Sequence, residues 1–180
     1  MTTKKMMNKK TLYALVAIVA IIVVVAAAGA YALMNNGSGG KTVTVADATT
    51  LQYNADVTYQ GDVTHFNWAA KNIGATNMAL HFDILHGEQG NYTYILNSGD
   101  KTAWIAVNGT WTNVSSDFTN QWNTWVGTGQ RWTNDLNALT TAWNGTGNCT
   151  YTDSAKGVTI TIYNVAINPT LDNSLFQHTP

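Results

Sequence analysis

The residues best equipped for chemistry are His81, Asp83, His86 and Glu88. Two imidazoles and two carboxylates within eight positions could hold zinc or another divalent ion. In an extended segment, His81 and Asp83 share one face by the two-residue period. His86 and Glu88 fall in the turn that follows. The spacing matches no metalloenzyme signature, and a metal site also needs partners that orient its ligands. The plainer reading is a solvated sheet face with a polar turn. His65 and His178 stand apart from this group.

Other chemistry lacks its parts. There is no G-x-S-x-G elbow, phosphate-binding loop, H-E-x-x-H pair or dinucleotide fingerprint. One cysteine and one glutamate leave covalent and glycosidase-type catalysis without their usual groups. The chain reads as a non-enzyme with no cofactor. Cys149 cannot form an internal disulfide, so it is a plain thiol or an intermolecular link.

Location is more legible than activity. Thr11–Leu33 contains 23 residues and no charge. Roughly 20 apolar residues suffice for a membrane-spanning helix. Lys4, Lys5, Lys9 and Lys10 precede the run and hold residues 1–10 in the cytoplasm. The expectation is a single-pass plasma-membrane anchor at 11–33, a flexible linker at 34–41 and an external domain at 42–180. A cleaved secretory signal is the alternative, because Ala30-Tyr31-Ala32 fits a small-x-small cleavage site. No cysteine closely follows the run, which excludes a lipoprotein anchor.

After the linker, Lys41, Lys71, Lys101, Lys156 and Arg131 face nine Asp and Glu88, a balance of −5. Nucleic acid, which demands basic patches, is disfavoured. Six glycosylation sequons lie outside, at Asn36, Asn91, Asn108, Asn113, Asn144 and Asn148, a mild excess over chance.

The elements that must position these residues are mostly strands. Thr42–Asp47, Gln52–Tyr59, Val63–Lys71, Met78–Leu85, Asn91–Leu96, Thr102–Val107 and Thr110–Val114 read as consecutive strands of an antiparallel meander. Met78, Leu80, Phe82 and Ile84 face one way; Ala79, His81, Asp83 and Leu85 face the other. Asn108-Gly109 marks a tight hairpin. The period then changes. Phe118, Trp122, Trp125 and Val126 predict a helix capped by Ser115 or Ser116, with Asp117 complementing its dipole. Trp132, Leu136, Leu139 and Trp143 predict a second helix. Cys149–Thr152 and Val158–Ile167 return to strands. The expected fold is α+β, with the sheet covered by a helical pair at about 116–143.

Two phrases carry a resemblance. One is YTYILNSGDKTAWIAVNGTW at Tyr92–Trp111. The other is VAINPTLDNSLF at Val165–Phe176, with Asn168-Pro169, Leu171-Asp172 and Leu175-Phe176 after the last strand. Over roughly Val63–Phe176 the chain resembles the LolA-like superfamily of lipoprotein carriers and their relatives. That resemblance implies a curved half-barrel plugged by helices, with a cavity for acyl chains. It would put Trp122, Trp125, Trp132 and Trp143 on the plugging helices and Phe66, Trp68, Phe82 and Trp104 on the wall. The carriers hold a lid with an arginine from the sheet, whereas Arg131, the one arginine here, lies in the helical part. The carriers also diffuse, whereas this domain is tethered. The expected function is therefore non-catalytic binding of a lipid or other apolar ligand. The alternatives are a structural or adhesive surface module with a cell-wall partner, and a pilin-like subunit. A pilin-like subunit lacks its usual helix acid here.

Overall fold

The computed structural model describes residues 48–86, 90–126, 148–155 and 157–178. The anchor at 11–33, the linker, the strand expected at Thr42–Asp47 and the second helix with Trp132 and Trp143 lie outside the described residues. No helix among the described residues is long and apolar enough to cross a membrane.

Eight strands form one antiparallel sheet: β1 (Thr50–Tyr59), β2 (Asp62–Lys71), β3 (Ala79–Leu85), β4 (Asn91–Asn97), β5 (Thr102–Val107), β6 (Thr110–Asn113), β7 (Cys149–Asp153) and β8 (Val158–Ile167). Their order is β6-β5-β4-β3-β2-β1-β8-β7. The first six follow one another as a meander. The chain then reaches the far edge at β7 and returns beside β1 as β8. Two hairpins have two-residue turns with both residues at positive φ: Gln60 (53°) and Gly61 (87°), and Asn108 (49°) and Gly109 (83°). This is the turn whose twist matches the flanking strands.

The α+β expectation is corrected. The described structure is mainly β, an open sheet with one α-helix, α1 (Phe118–Trp125), preceded by a 3-10 turn at Ser115–Asp117. Eight residues at about 1.5 Å each give a rod of about 12 Å, far shorter than the sheet is wide. Accordingly α1 packs mainly on β4 and β5, with Trp125 reaching Phe82 of β3. Among the described residues the sheet is open, with β6 and β7 at its edges. The expected serine cap is also absent. Ser115 Oγ instead accepts from Ala103 N (3.0 Å), tying the 3-10 turn to β5. Asp117 accepts hydrogen bonds from the Asn120 and Gln121 side chains in the first helical turn.

The two-residue period holds across the sheet. On the first face, cross-strand register aligns Tyr53, Trp68, Phe82, Tyr94 and Ile105. Successive aromatic centroids are 6.2, 4.9 and 4.6 Å apart, all stacked. Trp125 of α1 closes on this row, 4.6 Å from Phe82 and 4.7 Å from Tyr94. Leu51, Ala55, Phe66, Leu80, Ile84 and Ile162 are buried on the same face. Burying such rings contributes both area and ring–ring contact, and makes this row the mechanical centre of the domain.

The C-terminal segment straps the second face. Asn168 (φ 53°) starts it, its Oδ1 accepting from Thr49 N (2.8 Å) and Thr50 N (3.2 Å). A 3-10 turn at Asn173–Phe176 follows, capped by Asp172, whose Oδ1 accepts from Ser174 N (2.8 Å). Phe176 is buried against Ala69 and Ala79, and Lys71 Nζ sits 4.6 Å over its ring. Those two alanines leave the space a phenyl ring fills.

Candidate functional site: a polar row across the second face

One residue out of phase with the aromatic row, a polar row crosses the other face. Register places Tyr163, Asn54, Asn67, Asp83, Thr93, Ala106 and Trp111 side by side on seven adjacent strands. Asn54 Nδ2 donates to Asn67 Oδ1 (2.6 Å), and Asn67 Nδ2 donates to Asp83 Oδ2 (3.3 Å). Thr93 Oγ1 donates to Asp83 Oδ1 (2.7 Å). Asn164 Nδ2 donates to Asn54 Oδ1 (3.1 Å) from the far side. Asn164 lies at a register shift between β1 and β8, with φ 54°. Such a bulge re-aims side chains, and asparagine tolerates the left-handed conformation it requires.

Beside this row Asp56 gathers two partners. Tyr163 OH donates to its Oδ1 (3.0 Å), and His65 Nδ1 lies 2.7 Å from the same oxygen. Burial, and then the hydrogen bond and charge of Asp56, push the Tyr163 hydroxyl above its ordinary range. Burial alone would raise the Asp83 carboxyl. The hydrogen bonds from His81 and Thr93, the His81 charge and the Asn67 hydrogen bond outweigh it and hold Asp83 below the usual value.

The depressed carboxyl has a consequence for acid stability. A group whose folded pKa lies below its unfolded value stabilises the fold above the unfolded pKa, about 3.9 for Asp. That contribution disappears as pH falls through the folded value. Asp83→Asn should therefore flatten the fall in Tm between about pH 4 and pH 2, read by thermal melts across that window. An unchanged acid slope would show that Asp83 is not coupled to folding.

His81, Asp83 and His86, the described members of the candidate metal set, do not meet as one. His81 and Asp83 share the second face as expected, with His81 Nε2 3.6 Å from Asp83 Oδ1. His81 Nδ1, however, is 2.6 Å from Leu175 O, so the ring fastens the C-terminal strap. His86 is buried beyond the end of β3, its Nε2 without a hydrogen-bond partner among the described residues. Glu88 lies outside the described residues. Among the described residues no group of three or more His, Cys, Asp or Glu could hold a metal.

The aromatic candidates divide between faces. Phe66, Trp68, Phe82 and Trp125 belong to the first-face core. Trp122 is half-buried on α1 and stacks on Phe118 at 5.5 Å. Trp104 is not on the same wall. Its register partners are Ile95 and Asn113, on the second face. There Trp104 and Trp111 flank His178, whose ring is 4.4 Å from Trp111 at 18° and 4.7 Å from Trp104 at 62°. Of the sequons, Asn91, Asn108, Asn113 and Asn148 are exposed. Asn36 and Asn144 lie outside the described residues.

No protein-family model, curated protein or solved structure matches this chain. Sequence reasoning missed Asn54, Asn67, Thr93, Trp111 and Tyr163. Each stands at an alternate strand position, and that was the available signal. Which residues become neighbours depends on cross-strand register, which alternation alone leaves open.

Proposed function

We propose that this chain is a membrane-tethered, non-catalytic surface module that binds a hydroxyl-rich polymer of the cell envelope along the second face of its sheet. The observation that carries this reading is the in-register row from Tyr163 to Trp111. At about 4.8 Å per strand it runs about 29 Å. Each asparagine amide has two donors and two acceptor sites, more than its neighbours use. The residues between the end aromatics supply amides, a hydroxyl and a carboxylate, with Trp111 offering a flat apolar face at one end and Tyr163 a phenol at the other. Such a surface suits sugar hydroxyls and ring faces. The balance of −5 outside the membrane disfavours an acidic polymer.

Retardation in native gels containing a neutral glucan (hydroxyethylcellulose), a cationic glycan (chitosan) or an acidic one (alginate) tests this. The neutral gel should retard the protein, and the acidic gel should not. Asn67→Ala should weaken the neutral interaction several-fold. Equal mobility in all gels would contradict the reading.

A second reading draws on Trp68, whose buried indole Nε1 has no hydrogen-bond partner among the described residues. In that reading an apolar ligand with a polar head lies between sheet and helix and gives this donor an acceptor. Lipid found by mass spectrometry on protein taken from its own membrane would favour it over the surface reading.

A further inference from the structure

We propose that the C-terminal tail is a built-in competitor for the aromatic end of this surface, with His178 standing where a ring of the polymer would stack. The inference rests on the surface reading and adds its regulation. The polar row runs from Thr93 through Ala106 to Trp111. Ala106 projects no large side chain between the hydroxyl of Thr93 and the indole. A ligand following the row therefore arrives at the face that His178 covers.

The imidazole imitates such a ligand. It lies nearly parallel to Trp111 at 4.4 Å and edge-on to Trp104 at 4.7 Å. A sugar ring has the same general form, a flat face of C–H groups with a polar rim, and the π-face of an indole accepts either.

The tail is fastened upstream and not at this point. His81 holds Leu175 O, and Asn97 Nδ2 donates to Phe176 O at 3.0 Å. Phe176 is buried at 1% exposure, whereas Gln177 is exposed. The ring of His178 contacts both indoles. Gln177 N stays bonded to Ser174 O within the turn (3.2 Å), so lifting His178 alone leaves Phe176, the strap and the sheet in place. The platform can open without local unfolding.

The test uses the full chain in detergent and hydroxyethylcellulose as probe, with gel retardation giving the dissociation constant. His178→Ala should tighten binding by about threefold to tenfold, the value of one ring–ring contact. His178→Phe, which keeps a ring, should restore wild-type affinity. Trp111→Ala should weaken binding whether or not His178 is present. Unchanged binding in His178→Ala, with Trp111→Ala and Asn67→Ala still weakened, would overturn the competitor role and leave the surface reading standing. Weaker binding in His178→Ala would overturn it too, by making the tail part of the ligand site. If no form of the protein is retarded, the surface reading fails and this inference falls with it.

Discussion

Phe82→Ala should destabilise the domain by about 3–5 kcal/mol. Phe82 is fully buried and stacks on Trp68 and Tyr94, with Trp125 of the helix tilted onto it. Removing it opens a cavity bordered by three rigid rings held on three different elements. None of them can collapse into the gap without leaving its own strand or helix. Domains of this size are stable by about 5–15 kcal/mol in total, so the loss is a large share of the whole. Urea titration followed by tryptophan fluorescence would measure it. A cost below about 1 kcal/mol would mean that the row is loosely packed and that the ring contacts do not organise the fold.

The second large effect is expected at the strap. Phe176→Ala should cost about 3 kcal/mol, toward the low end for a buried phenylalanine. Its pocket is made by the small side chains of Ala69 and Ala79, with Leu171 and Leu175 alongside. The strap should loosen as a unit, because His81 and Asn97 bind its carbonyl oxygens only while Phe176 seats it. Hydrogen exchange would show the difference from Phe82→Ala. Protection should fall at Leu175 and Gln177, whose amides bond within the turn, while β1–β4 stay protected. Uniform loss of protection across the sheet would make the strap an integral part of the core.

How much of this was legible follows from what a sequence period encodes. Alternation in Met78–Leu85 and Val158–Ile167 separates two faces, and the structure keeps that separation: Leu80, Phe82, Ile84, Val158, Ile160 and Ile162 are buried together. The Asn108-Gly109 turn was readable because its backbone demands those residues. The i, i+4, i+7 spacing at Phe118, Trp122 and Trp125 gave a real helix. It did not give the helix's share of the sheet, which is set by tertiary contacts.

Register was not legible. Nothing local says that Asn54 will stand beside Asn67 and that Asn67 will stand beside Asp83. Those pairings arise from turn lengths, and the bulge at Asn164 sets which residue of β8 joins them. The carrier resemblance puts Trp104 on one wall with Phe66, Trp68 and Phe82, and hydrophobicity does not name a face. The parity of Trp104 relative to Ile95 puts it on the other side. The strap was equally hidden, since Leu171, Leu175 and Phe176 carry too few residues to show a period. They dock on the face whose His81 and Asp83 read as solvated.

The surface account implies that ligand meets the asparagine row and leaves the aromatic row untouched. The most direct measurement is the NMR response of side-chain N–H groups as hydroxyethylcellulose is added. The account predicts shifts at the amides of Asn54 and Asn67 and at the indole of Trp111, with the indole of Trp68 unmoved. Shifts at Trp68 and none along Asn54 and Asn67 would contradict it and place the ligand in the interior.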